Sequence, residues 1–163
     1  MSIASRAVSH LNWVHAVTVK MTENWPVEKE SHQSCGTDNH LVWTLGHLAI
    51  SNDWFRGLLV AGPSEVPEAY QKLFGAGSKP IADRAAFPAT AELRAAFDRT
   101  FASLAASAAS LSDADASLAT LTDTGGFCTD RADAIDKAIW HEGWHAGQLA
   151  SLRKGLGLAS VIG

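Results

Sequence analysis

Clustered basic residues, long apolar runs and paired cysteines are all missing from this 163-residue sequence, and each absence excludes a class of protein. Lysine and arginine number 13 against 17 aspartates and glutamates, a formal net charge of -4. They are scattered, so no basic face of the kind that grips a phosphate backbone is expected, and nucleic acid is excluded as a partner. No apolar stretch reaches membrane-spanning length, and the N-terminus, Met1-Ser2-Ile3-Ala4-Ser5-Arg6, carries no apolar core followed by a cleavage site. The two cysteines, Cys35 and Cys128, are far apart, without C-x-x-C spacing and in predicted loops. We read both as free thiols, which suit a reducing compartment. A soluble cytoplasmic protein with no membrane partner is therefore expected. The length suits one domain spanning 1–163, able to bury its own core without a disulfide or metal staple.

Strict two-residue alternation is also lacking, whereas four segments have helical periodicity. The domain is expected to be all-α. In the first, from about Ala4 to Asn24, one stripe comprises Ala4, Val8, Leu11, Val14, Thr18 and Met21, and Trp25-Pro26 ends it. The second starts near Thr37 or Asp38, both plausible N-caps, and runs to Leu59 or Val60 with Leu41, Leu45, Leu48, Phe55 and Leu59 apolar. A long connection from about Gly62 to Ala89 contains four of the five prolines and is expected to be irregular, lying over one end of the helices and able to shape a pocket mouth. The third helix, Thr90 to Leu111, places Leu93, Phe97, Phe101, Leu104, Ala108 and Leu111 at core spacing. The fourth runs from Thr129 or Asp130 to Lys154 and stops at Gly155 and Gly157, with Arg153 and Lys154 complementing its dipole.

The fourth segment carries the chemistry. His141-Glu142-Gly143-Trp144-His145 sets two histidines four apart, side by side on one helix face, where they can grip one metal ion. The string also satisfies H-E-x-x-H, the zinc-protease signature in which the Glu serves as general base. A protease of that type takes a further ligand from downstream, but Ala146 to Gly163 contains no His, Asp, Glu or Cys. The remaining ligand must come from upstream, and His47 beside Gly46 on the second helix is the candidate, because the glycine lets a neighbouring helix approach. Three imidazoles leave open positions, as catalytic metals require.

His40, one heptad before His47, is the rival third ligand, against the plainer reading of a solvated helix-start histidine. His10, His15 and His32 are assigned surface or capping roles. Glu142 lies about 100° around the helix from His141, which makes it a solvent-facing or interhelical carboxylate, with general-base catalysis as the alternative. Gln148 shares the histidine face and suits either a hydrogen bond to a ligand or helix packing. Of six tryptophans, Trp43, Trp54, Trp140 and Trp144 fall on the two metal-bearing helices; core packing is their favoured role, a pocket wall or dimer face the other.

The pairing of Trp43-x-x-Gly46-His47-Leu48 with His141-x-x-x-His145-x-Gly147-Gln148-Leu149-x-x-Leu152-Arg153-x-x-Leu156-Gly157 resembles the DinB-like superfamily of DNA-damage-inducible, metal-dependent proteins. The resemblance implies a four-helix bundle with long loops between helices 2 and 3 and between helices 3 and 4. It also implies a frequent homodimer and a divalent metal on three histidines matching His47, His141 and His145. Relatives include transferases and isomerases that use low-molecular-weight thiols such as bacillithiol or mycothiol, so a thiol cosubstrate and a small-molecule substrate are expected. Zn, Ni, Mn and Fe all suit three imidazoles with open positions. Metal-dependent activation of a thiol or a water is the first functional reading, with Glu142 as candidate base. A non-catalytic, metal-stabilised dimeric bundle for binding or stress response is the second.

Overall fold

The computed structural model describes residues 3–36 and 38–161, with side chains from Ser5 onward. Thr37 as an N-cap candidate, the side chain of Ala4 in the first stripe, and Met1 and Ser2 of the N-terminal reading lie outside the described residues. Six α-helices and no strand occur among those described. Four are long: α1 (Ile3–Thr22), α2 (Leu41–Leu59), α4 (Thr90–Ser110) and α6 (Arg131–Gly155). Two are short: α3 (Ala69–Phe74) and α5 (Asp113–Ala116). Each long helix packs against two others, α1 on α6 and α4, and α2 on α4 and α6. No helix among the described residues is long and apolar enough to cross a membrane.

The periodicity works as expected in the long helices. Leu11, Val14, Thr18 and Met21 of α1 are buried, as are Leu93, Phe97, Phe101, Leu104 and Ala108 of α4. Helix α2 is buried on nearly every side, from Leu41 through Leu59, which is the behaviour of a central helix apolar all round. The end of α6 follows from its glycine. Gly157 adopts φ +70°, its N–H donates to the Lys154 carbonyl, and Leu158 N–H donates to Arg153. These two bonds satisfy carbonyls that the helix end would otherwise orphan.

Two boundaries need correcting. Helix α2 is capped not by Asp38 but by His40, whose Nδ1 accepts from the Trp43 amide at 3.1 Å. Asp38 instead accepts from the amides of Ser34 and Cys35 at 2.9 and 3.0 Å, and these bonds hold its carboxyl down at about 2 against the opposing effect of burial, the largest single influence. The connection from 62 to 89 is not simply irregular. It forms α3 and one 3-10 turn, Arg84–Ala86, and plants Tyr70, Phe74 and Phe87 in the core. A helix of six residues completes fewer than two turns, too few for a periodic stripe to show.

The apolar interior comes in two clusters. One gathers Met21, Leu41, Leu45, Leu48, Phe74, Leu93, Phe97, Leu149 and Leu152. The other gathers Leu11, Phe55, Leu58, Leu59, Phe101, Leu104, Ile135 and Ala138. Along α6, the histidine pentad falls in the gap between Ala138 of the second cluster and Leu149 of the first, so its polar groups occupy the middle of the helix.

Candidate metal centre

Helices α2 and α6 bring His47, His141 and His145 together. One ring nitrogen from each lies within 4.8 Å of the others. His47 Nε2 is 3.1 Å from His141 Nε2, and the ring centroids of His145 lie 4.9 and 4.7 Å from those of His47 and His141. Nitrogens bound to one tetrahedral ion at about 2.1 Å stand about 3.4 Å apart, so the His47–His141 approach already has the scale of a shared ion.

The other face of two rings decides which nitrogen is offered. His47 Nδ1 lies 2.7 Å from the Phe74 carbonyl oxygen, which can only accept, so the proton sits on Nδ1 and the lone pair on Nε2. Gln148 does the same for His145: its Oε1 accepts from Nδ1 at 2.8 Å and also from Asn39 Nδ2 at 3.1 Å. Of the two roles open to Gln148, the hydrogen bond to a ligand is the one adopted. Trp43 stacks on His47 with centroids 4.5 Å apart and planes 13° from parallel, and its indole N–H donates to Ser78 Oγ at 3.0 Å.

Gly46 serves this geometry in an unexpected way. A Cβ there would lie 2.5 Å from the Phe74 ring. The element admitted by the missing side chain is therefore α3 and not a long helix, and the close approach of Phe74 is what presents its carbonyl to His47. A backbone carbonyl has no signature in sequence, so this support was invisible there.

Electrostatics favour neutral imidazoles. Burial pushes His141 down to about 4, assisted by the His47 charge, and His145 down to about 3, assisted by His141 and His47. His47 is lowered by burial against its Phe74 hydrogen bond. All three therefore present unprotonated nitrogens at neutral pH without having to lose a proton. The donor set, its tautomers and its charge state fit a divalent transition metal.

The remaining candidates sort clearly. His40 is excluded as a rival ligand because both its nitrogens are used: Nδ1 caps α2 and Nε2 donates to the Ile81 carbonyl at 2.9 Å. It is also fully buried, not solvated, with Ile81 and Phe87 packed against it. His15 is no surface residue either. It stacks on Phe101 at 3.5 Å and donates from Nδ1 to Glu142 Oε1 at 3.0 Å. Glu142 is buried and interhelical, turned to α1, and does not join the three-histidine cluster. Neither Cys35, exposed, nor Cys128, buried, belongs to that cluster; burial raises the Cys128 thiol.

Among the tryptophans, Trp43 packs in the core, but Trp140 and Trp144 are 54% and 55% exposed and pack edge to face at 5.2 Å. Their core assignment is corrected: α6 turns their side of the helix outward while its histidines face α2. Trp54, also partly exposed, walls a cavity of about 320 Å³ that opens onto His47 and His141. Gln71 and Ala76 from the connection 62–89 line it too, so that segment shapes a pocket mouth.

A family model described as the DinB superfamily matches residues 10–149, a span that contains all three histidines. No curated protein matches the chain.

Proposed function

The chain belongs to the DinB superfamily, and from that premise we propose that it is a four-helix-bundle enzyme that activates a thiol or a water at a divalent metal held by His47, His141 and His145. One observation supports this reading above the rest: two of the three imidazoles are fixed by carbonyl-type acceptors in the tautomer that offers Nε2, on rings that converge within 4.8 Å of one another. An ion bound there, Zn, Ni, Mn or Fe, would lower the pKa of a coordinated thiol or water and so make it nucleophilic at neutral pH.

The chain's own residues do the rest. Phe74 and Gln148 orient the ligating rings, as outer hydrogen bonds do in metal sites generally. Burial keeps the imidazoles unprotonated. The adjoining cavity provides room for a small-molecule electrophile beside His47 and His141. We assign Glu142 to its pair with His15, not to general-base catalysis, since its Oε1 is already engaged there. Two cysteines outside any disulfide among the described residues suit a cytoplasmic setting.

A second reading has its own support. In it the ion only fixes α2 on α6, and the protein acts as a non-catalytic homodimer, for which the exposed pair Trp140 and Trp144 offers an aromatic face. Zinc titration followed by assay with bacillithiol, mycothiol and glutathione against electrophiles, and with ester substrates, separates the two. Thiol-dependent turnover that vanishes in His47→Ala supports the enzyme. Stoichiometric zinc with no turnover, in a protein that sediments as a dimer, favours the second reading.

A further inference from the structure

The cavity beside His47 and His141 is walled by Ile50, Trp54, Phe55 and Phe127, with Ser51 and Gln71 as its polar groups. No lysine, arginine, aspartate or glutamate lines it among the described residues. The aromatic wall is built rather than incidental. Trp54 packs edge-on against Phe55 at 4.9 Å and tilted against Phe127 at 6.1 Å. Lys137 sits over Phe127, its ammonium 5.1 Å from the ring centroid, and is paired with Asp133 at 2.6 Å. Phe55 in turn approaches His141, centroids 6.1 Å apart.

The geometry points to an uncharged aromatic molecule, about the size of a fused two-ring system, as the substrate that this cavity presents to the histidine site. Size is the first reason. An enclosed apolar cavity of about 150 Å³ accepts a single benzene ring, and this cleft, open to solvent along the exposed Trp54 and Phe127, offers about 320 Å³, room for a second ring. Charge is the second: away from the histidine end these walls carry no cationic side chain, so a carboxylate lying against them has no partner there, and an unpaired charge is costly to bury. Surface is the third, because offset and edge-on ring contacts with Trp54, Phe55 and Phe127 reward a flat aromatic face, while the Ser51 hydroxyl and Gln71 amide can each meet one neutral polar substituent. The charged body of a thiol cosubstrate therefore lies elsewhere, and the cavity takes the electrophilic partner. As a statement about a substrate this rests on the metal reading above.

Isothermal titration of the zinc-loaded and the chelator-treated protein with 2-naphthol, 2-naphthalenesulfonate and 2-naphthyltrimethylammonium tests the proposal. To the chelator-treated protein, whose cavity has no metal charge beside it, the neutral probe should bind at least tenfold more tightly than either ion. Trp54→Ala and the cavity-filling Ser51→Phe should each weaken it tenfold or more, with zinc stoichiometry retained; two independent variants guard against a folding defect in one. Trp13→Ala, on the exposed part of α1, should leave naphthol binding unchanged. Equal or tighter binding of the sulfonate to the chelator-treated protein, or naphthol binding insensitive to both cavity variants, overturns the proposal while leaving zinc binding intact. Naphthol binding that obeys the cavity variants in a protein that takes up no zinc upholds the cavity's selectivity and overturns the metal reading.

Discussion

Two histidine-bearing sites lie on different sides of α6, fed by adjacent residues of one pentad, and they have opposite characters. Toward α2, His141 and His145 meet His47, with ring nitrogens unprotonated and a cavity alongside. Toward α1, Glu142 meets His15, whose ring donates to the carboxylate and is covered by Phe101 at 3.5 Å. The same pentad thus feeds an open site and a closed one. Identity of the side chain does not separate them, since both contain imidazole; what separates them is access to the nitrogen in front. An acceptor behind the ring, carbonyl or carboxylate, leaves a lone pair in front; at His47 and His145 that nitrogen belongs to the three-histidine cluster, whereas the His15 ring is covered by Phe101 and joins no such cluster.

That contrast can be broken from either side. The largest effect is expected from His145→Ala, which should abolish stoichiometric zinc binding, read by metal analysis, and leave the helical circular dichroism signal in place. His15→Ala should do the reverse. It strands the Glu142 carboxylate, whose Oε2 already has no partner, and should cost about 3 kcal/mol in chemical denaturation while zinc stoichiometry is kept.

Gly46→Ala sharpens the comparison through the supporting carbonyl. The added methyl meets Phe74 at 2.5 Å, so unfolding should show a loss of about 2 kcal/mol, and zinc affinity should fall about tenfold as the Phe74–His47 hydrogen bond is disturbed. The smallest effect is that of mild acid on the metal-free protein. His141 and His145 have folded-state values of about 4 and 3, below the usual value near 6.5 that applies to the unfolded chain. Their contribution is therefore intact above about pH 6.5 and is lost progressively as the pH falls toward 4 and 3, because the unfolded chain binds those protons first. Between pH 7 and 6 the two together should cost about 1 kcal/mol, and zinc should suppress the loss.

Legibility followed the range of the interactions. The stripe Leu93, Phe97, Phe101 and Leu104 announced α4 because helix burial repeats with a local period. His141 and His145 announced themselves by their spacing, and His47 by elimination of downstream ligands and by resemblance. Helix α3 was illegible because six residues give no period. The cap at His40 was missed because Asp38 offered a more conventional oxygen, which the turn at Ser34 and Cys35 had already taken. The exposed faces of Trp140 and Trp144 were missed because spacing shows which residues share a face but not which face lies inward.

Composition and periodicity by themselves determined an all-helical chain with one histidine pair on a helix face, since both depend on residue type and on contacts within one or two turns. Only the tertiary structure decided what surrounds those histidines. It placed His47 against His141, put the Phe74 carbonyl behind His47 and Gln148 behind His145, sent Glu142 to His15, and opened an uncharged aromatic cavity beside the site. All but the Gln148–His145 bond, which spans three residues of α6, join groups from separate helices or loops, where distance in space, and not spacing along the chain, sets the proton, the charge and the access.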